Sequence, residues 1–205
     1  QHQADAICSI KLTMRIGIDF DNTLACYHHV FVEVASLLEL VEPSWQGSKS
    51  ELRTQLRARE DGEIKWQQLQ GQVYGKYIDR AKLFTGVANF LLRLKQRSWT
   101  VVIVSHKTEY GHYDSDRVPL RQVALDWMET QRFFGADGFG IQQQNIHFAT
   151  TREEKVKIIA EQECDFFIDD LLEVFEELSF PKKTQRILFS EARDSEKSEY
   201  ALVCE

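Results

Sequence analysis

Short apolar runs alternate with longer amphipathic stretches along most of this chain, and this alternation predicts strands and helices in turn. The apolar runs that predict strands are 15–20, 100–104, 146–149, 165–168 and 185–189. The stretches with apolar residues at three- and four-residue spacing, which predict helices, are 87–94, 119–128, 152–162 and 171–178. Strands that alternate with helices favour right-handed crossovers, so the predicted fold class is α/β with a doubly wound (Rossmann-like) parallel sheet.

Residues 27–79 interrupt this alternation and are predicted to form a small helical insertion. Residues 28–41 are almost continuously apolar, and two helical stretches follow at 49–60 and 63–79. In the second stretch, apolar residues at helical spacing predict a packing face, made of Trp66, Leu69, Val73 and Tyr77. The predicted organisation is therefore an N-terminal arm or cloning remnant at 1–13, a core domain at 14–26 and 80–205, and a helical cap at 27–79.

Two carboxylates follow the first predicted strand at a spacing of two residues. Positions i and i+2 of a strand share a face, so extended geometry past Phe20 would bring the carboxylates of Asp19 and Asp21 to one spot. A hard cation such as Mg²⁺ relieves the repulsion between like charges, and phosphate substrates commonly accompany it. Thr23 adds a hydroxyl nearby. An Asp/Asn-rich turn after an ordinary strand is the alternative.

Polar residues also follow the other predicted strands. Ser105 follows the second, Lys155 lies near the start of the helix after the third, and Asp169 and Asp170 end the fourth. In an open parallel sheet, ligands bind beyond the carboxyl ends of the strands, so these side chains and Asp19 are expected in one crevice. Taken singly, each has an ordinary structural explanation: a strand end, a solvated lysine or a helix cap.

Composition narrows the classes of partner. The chain has 205 residues, 43% hydrophobic and 28% charged, which is typical of a globular protein. A net charge of −7 argues against a nucleic-acid backbone or an anionic membrane as the main partner. No run has the length of a membrane span or the pattern of a secretory signal. The four cysteines contain no C-x-x-C pair, which favours a cytoplasmic location and gives no zinc framework.

The quoted residues resemble the four motifs of the haloacid dehalogenase (HAD) superfamily. The motifs stand here, in family order, as Ile18-Asp19-Phe20-Asp21-Asn22-Thr23, Val101-Val102-Ile103-Val104-Ser105, Lys155 and Phe167-Ile168-Asp169-Asp170. The resemblance covers roughly residues 14 to 190. The insertion at 27–79 is similar to the helical cap that many members carry between their first two motifs. The resemblance implies a phosphotransferase site.

The resemblance also implies a role for each residue. Asp19 would attack phosphorus and form an aspartyl-phosphate. Asp21 would protonate the leaving oxygen and later activate water. Closure of a cap that excludes water would help Asp21 to hold the proton that it donates. The residues expected to bind the substrate phosphate are Thr23, Ser105, His106 and Lys155. Mg²⁺ would lie on the Asp19 and Asp169 carboxylates and the Asp21 carbonyl, with Asp170 acting indirectly through water or a hydrogen bond.

Two further features are open to a functional or a structural interpretation. The polar and aromatic loop at 106–117 leaves the sheet at the catalytic edge, so His106, Lys107 or Tyr110 is expected to touch the substrate or the cap. A solvated connection is equally consistent with its composition. The adjacent pair His28 and His29 has no further nitrogen or sulfur ligand, which favours a structural or substrate-facing role over a metal site.

The sequence thus predicts a cytoplasmic, Mg²⁺-dependent phosphatase that acts on a small phosphorylated metabolite of the nucleotide or sugar phosphate class. No nucleic acid and no membrane is expected as a partner. A phosphomutase is the nearest alternative, and a module that binds metal and phosphate without turnover is another. Oligomeric state stays open, because the apolar run at 28–41 could belong to the core or to a dimer surface.

Overall fold

The core of the protein is a five-stranded parallel sheet. A computed structural model describes residues 13–190. The strands of the sheet are β1 Arg15–Ile18, β4 Thr100–His106, β5 Ile146–Ala149, β6 Phe166–Asp169 and β7 Gln185–Leu188. Their order across the sheet is β5-β4-β1-β6-β7. All four neighbouring pairs are parallel, with β1 between β4 and β6. The predicted fold class is confirmed, with each expected strand present.

Helices cover both faces of the sheet because the strands are apolar on both sides. Four helices connect the strands: α4 Val87–Gln96, α5 Leu120–Thr130, α6 Arg152–Glu161 and α7 Leu172–Phe175. Along β4, Val101 and Ile103 belong to one apolar cluster, whereas Val102 and Val104 belong to another. This alternation follows from the two-residue period of a strand. The second cluster takes its helical side chains from α6 and α7.

Three helices lie between the first two strands of the sheet: α1 His28–Leu37, α2 Lys49–Arg57 and α3 Gly62–Tyr74. They pack on one another, and the segments that flank them in the chain pair as a two-stranded antiparallel sheet, β2 Ala25–Cys26 with β3 Lys82–Leu83. A capping box between Ser48 and Glu51 begins α2. Buried residues of these helices join the same apolar cluster as β1. The predicted cap boundaries at 27–79 stay a prediction.

Several helices are shorter than the sequence pattern predicts. The expected helix at 63–79 ends at Tyr74, because Gly75 leaves helical geometry and a 3₁₀ turn follows at Ile78–Arg80. The expected helix at 49–60 ends at Arg57, and Asp61 adopts a left-handed conformation with φ 55°. Of the predicted packing face, Trp66, Leu69 and Val73 are buried.

One glycine shapes the centre of the sheet. A Cβ at Gly17 would lie 2.4 Å from Cδ2 of Phe167, a side chain that is itself fully buried. Gly17 therefore allows Phe167 to pack directly on β1. The predicted arm falls almost entirely outside the described residues, as do the last fifteen residues, where a frayed helix or tail is expected. Within 13–190, no helix is both long and apolar enough to cross a membrane.

Candidate active site

The carboxyl ends of the three central strands bring the predicted site residues together. Asp19 follows β1 directly, and its N–H continues the parallel ladder by donating to the Ile168 carbonyl at 2.9 Å. Asp169 is the last residue of β6, and Ser105 lies near the end of β4. Because β1 pairs with both β4 and β6, these three side chains meet at one edge of the sheet.

Lys155 connects the two buried aspartates. It lies in the first turn of α6. Thr151 is the N-cap residue of this helix, and its side chain accepts a hydrogen bond from the Glu154 N–H. Its Nζ lies 2.6 Å from Asp19 Oδ1 and 2.6 Å from Asp169 Oδ2, and all three side chains are buried. Burial alone would lower the pKa of Lys155, but the two carboxylates outweigh it and hold that pKa above its ordinary value. Lys155 is therefore an ammonium held between two acids.

Negative charge exceeds positive charge in this group. Asp170 brings a third carboxylate, and one oxygen from each of Asp19, Asp169 and Asp170 lies within 4.8 Å of the others. Burial raises the pKa of Asp19 well above its ordinary value, and Asp169 and Asp170 add to this while Lys155 opposes it. Burial and the Asp169 charge likewise raise the pKa of Asp170 to about 6. Three carboxylates against one ammonium fit a hard divalent cation, which prefers oxygen ligands.

The composition of this carboxylate group differs from the predicted metal ligands in one respect. The resemblance implies an indirect role for Asp170, whereas the structure places its carboxylate with those of Asp19 and Asp169. The Asp21 side chain is directed elsewhere, so only its backbone carbonyl stays in the predicted set. Thr23 lies beside the group, with its Oγ1 3.4 Å from Asp19 Oδ2 and 3.5 Å from Asp170 Oδ1.

Asp21 is held by two donors. The Tyr27 hydroxyl donates to Asp21 Oδ1 at 2.7 Å, and Lys107 Nζ lies 2.7 Å from Asp21 Oδ2. Lys107 is only 4% exposed, although the loop that carries it is polar. Lys107 is one of the three candidates that the sequence indicates in this loop, whereas Tyr27 is not predicted from the sequence. The position of Tyr27 at the start of α1, soon after Asp21, is the sequence signal that could have indicated this contact.

Ser105 and His106 end the same strand but face different surroundings. The Ser105 Oγ is buried and has no hydrogen-bond partner within the part of the chain that the structure describes. A buried hydroxyl without a partner costs free energy, so a ligand oxygen at this position would be stabilised. His106 is exposed, and one ring nitrogen lies 2.9 Å from the Thr150 carbonyl oxygen. Both residues line a cavity that lies over this edge of the sheet.

A cavity of about 1300 Å³ opens between this edge of the sheet and the helices α1 to α3. Its floor includes Asp19, Asp21, Ser105 and Lys155, and its far wall includes residues of α2 and α3. His28 and His29 also line it; one ring nitrogen of His29 lies 2.9 Å from the Arg80 carbonyl oxygen. The cavity is large enough for a small metabolite.

The loop after β4 also reaches α3. A Cβ at Gly111 would lie 2.7 Å from the Gly71 Cα, so the two backbones touch closely. Gln72 Nε2 donates to Asp114 Oδ1 at 2.8 Å. The loop thus contacts α3 through Gly111 and Asp114, which are not the residues named from the sequence. Of the three named candidates, Lys107 has its Nζ 5.1 Å from the ring centre of Tyr74 on α3, whereas Tyr110 packs against Arg117 and His106 contacts Thr150.

The fold of this chain is similar to the folds of solved structures named as haloacid dehalogenase-like hydrolases. A haloacid dehalogenase-like hydrolase structure from Bacteroides fragilis has a TM-score of 0.55 at 16% identity, covering 89% of this chain and 90% of its own. A HAD hydrolase of family IA, variant 3, from Entamoeba histolytica has a TM-score of 0.53 at 13% identity, covering 93% and 92%. A haloacid dehalogenase-like family hydrolase from Streptococcus pneumoniae has a TM-score of 0.51 at 17% identity, covering 87% and 85%.

These structures share the fold with this chain, and their low sequence identity shows the fold alone. No family model matches the sequence, and no curated protein sequence matches it either. The likeness therefore confirms the predicted fold, and the activity of this chain must be argued from its own residues.

The raised pKa of Asp170 predicts how stability depends on pH. Its pKa is about 6 in the folded protein against an ordinary 3.8, so the folded state binds the proton more tightly. Stability without metal should therefore fall as the pH rises from about 4 to about 7, by about 2 kcal/mol from this residue. Urea unfolding in EDTA should show Asp170→Asn gaining that much on wild type between these pH values. Parallel pH profiles for the two proteins would contradict the assignment.

Proposed function

We propose that this protein is a Mg²⁺-dependent phosphohydrolase that cleaves a small phosphomonoester through an aspartyl-phosphate on Asp19. The observation that carries the proposal is the buried contact of Lys155 Nζ with Asp19 and Asp169, each at 2.6 Å, on the floor of a large cavity. Strongly perturbed ionisable groups in a cleft are characteristic of functional sites. A purely structural ion pair has no need of a third carboxylate beside it or of an open cavity above it.

Asp19 suits the role of nucleophile because its orientation is fixed from two sides. Lys155 contacts Oδ1, and the Thr23 hydroxyl lies near Oδ2. In the first step, a carboxylate oxygen of Asp19 forms a bond to phosphorus while the bond from phosphorus to the leaving oxygen breaks. In the second step, the oxygen of a water molecule forms a bond to phosphorus while the bond from phosphorus to the Asp19 oxygen breaks, which releases inorganic phosphate and regenerates the carboxylate.

The transferred phosphoryl group needs donors and positive charge. The unpartnered Ser105 Oγ can donate to a phosphoryl oxygen, and the Lys155 ammonium offsets the charge of both nucleophile and substrate. Asp19, Asp169 and Asp170 would hold Mg²⁺. When bound, the ion would supply positive charge that reduces repulsion between the carboxylate and the phosphate.

Proton transfer at the leaving oxygen is assigned to Asp21, which also lines the cavity. Tyr27 and Lys107 contact one carboxylate oxygen each, so they fix the plane of the Asp21 carboxyl group beside the nucleophile. In the first step Asp21 would give its proton to the leaving oxygen, and in the second it would accept a proton from the attacking water.

Phosphate release tests this function directly. Wild-type protein is incubated with nucleotides, sugar phosphates and an aryl phosphate, with Mg²⁺ or with EDTA. We expect release from at least one substrate, a fall of at least about 100-fold in EDTA, and recovery with excess Mg²⁺. A phosphomutase would instead give an isomeric phosphate without release, and a binding module would give no multiple turnover. Release that EDTA does not change would contradict the proposed metal dependence.

A further inference from the structure

A row of cations on α2 lines the cavity, and its first member, Lys49, lies beside Asn22. Lys49, Arg53 and Arg57 are four residues apart, which places them on one face of the helix. All three line the same cavity as Asp19 and Lys155. Because α2 rises about 1.5 Å per residue, Arg53 lies about 6 Å beyond Lys49 along the helix axis.

Only the last of these cations has a carboxylate partner among the described residues. Arg57 Nε lies 2.5 Å from Glu63 Oε2. Lys49 Nζ contacts the neutral Asn22 Oδ1 at 2.8 Å and lies 4.5 Å from the Phe31 ring centre. Arg53 has its guanidinium 6.0 Å from the Trp66 ring centre. Within residues 13–190, no ion pair joins Lys49 or Arg53 to a carboxylate.

Two unpaired cations of like charge at this spacing repel each other, and an anion between them would relieve that repulsion. Burial lowers the pKa of Lys49, and the nearby Arg53 charge lowers it further, while Asp170 and Asp21 oppose this. A bound oxyanion would stabilise the Lys49 charge further and would offset its repulsion with Arg53. The proposed function makes no use of either residue, since Lys155 and Ser105 account for the scissile phosphate.

We propose that the substrate is a phosphomonoester with a second anionic group, a carboxylate or another phosphate, that binds between Lys49 and Arg53. The proposal rests on the proposed function for the position of the scissile phosphate. A cavity of about 1300 Å³ has room for a molecule that reaches from Asp19 to α2. Charge-assisted hydrogen bonds from two cations should favour such a substrate by about tenfold to a hundredfold over one with a neutral distal end.

The test compares three hexose-derived probes that differ at the distal end. Glucose 6-phosphate has a neutral distal end, 6-phosphogluconate has a carboxylate there, and fructose 1,6-bisphosphate has a second phosphate. For each anionic probe, the ratio of its kcat/KM to that of glucose 6-phosphate is measured in wild type, Arg53→Gln and Lys65→Gln. Lys65 is the matched control, because it belongs to α3 of the same insertion but does not line the cavity.

We expect a wild-type ratio of at least about ten for one anionic probe, a fall of about tenfold in Arg53→Gln, and no change in Lys65→Gln. The probe with the higher ratio identifies the second group as a carboxylate or a phosphate. Equal kcat/KM for all three probes in wild type would overturn the proposal while leaving the phosphatase intact. An equal loss in Arg53→Gln for all three would also overturn it, since that indicates a general electrostatic effect.

If neither the three probes nor the aryl phosphate released phosphate, the proposed function would be contradicted. The proposed site for a second anion would then be tested by binding. Calorimetry with the same probes on wild type and Arg53→Gln measures the same ratio from dissociation constants. Tighter binding of an anionic probe that is lost in Arg53→Gln supports the subsite. Binding that is equal for all probes or unchanged in Arg53→Gln overturns it.

Discussion

Replacing Lys155 with methionine should destabilise the protein strongly and abolish its activity. The ammonium is the one cation in contact with the buried carboxylates of Asp19 and Asp169 among the described residues. Without it, these two acids and Asp170 face one another in a buried group, and removal of one partner from a buried ion pair costs about 3–5 kcal/mol. Urea unfolding in EDTA measures this loss, and Mg²⁺ should restore part of it because it supplies the missing positive charge.

Lys157→Met is the matched control for this experiment. Lys157 lies two residues further along α6, with its side chain 75% exposed and Nζ 3.8 Å from Glu161. The same substitution there should change the free energy of unfolding by less than about 0.5 kcal/mol and leave turnover intact. If the two variants were equally stable, Lys155 would not be the cation on which the buried group depends.

Replacing Asp19 with asparagine should remove turnover and leave the fold intact. The amide has the same shape as the carboxylate, but it lacks the charge and nucleophilicity to attack phosphorus. Loss of a covalent nucleophile should lower kcat by at least about 10⁴-fold. Lys155 keeps Asp169 as its partner at 2.6 Å, and the amide oxygen introduced by Asp19→Asn can still accept from it, so the unfolding free energy should change by about 1 kcal/mol or less.

The control for Asp19→Asn is Asp165→Asn. Asp165 lies at the opposite end of the strands, where its Oδ2 accepts from the Arg15 N–H at 2.7 Å. This variant tests whether the loss of an aspartate that supports the sheet is enough to stop turnover. We expect Asp165→Asn to lose stability and keep its kcat, whereas Asp19→Asn keeps its stability and loses its kcat.

The sheet and its edge could be predicted because their signals are local. Apolar runs give the strands, and their alternation with helices gives the parallel order. Once the order is known, residues that follow strands, such as Asp19 and Asp169, must meet at one edge. The pair of β2 and β3 has two residues in each strand, which is too short for any periodicity to indicate. Between β1 and β2 the chain turns at Asn22, which adopts a left-handed conformation with φ 64°.

The contacts of the candidate site depend on tertiary geometry that the pattern does not contain. The sequence places Asp21 beside the nucleophile, yet it does not reveal that Tyr27 and Lys107 hold that carboxylate. The resemblance assigns the Asp169 carboxylate to the metal and gives Asp170 an indirect role, and only the structure brings both carboxylates beside Asp19. Consecutive strand residues point to opposite faces, so a strand that continued past Asp169 would turn the Asp170 side chain away. β6 ends at Asp169, so Asp170 is free of that rule.

Trapping the phosphorylated protein tests most directly whether Asp19 carries the phosphoryl group during turnover. Wild-type protein is mixed with its best substrate and Mg²⁺, quenched in acid and digested, and the peptides are analysed by mass spectrometry. We expect one phosphoryl group on the peptide that contains Asp19, absent in EDTA and absent in Asp19→Asn. A phosphoryl group on another residue, or turnover by Asp19→Asn at the wild-type rate, would contradict it.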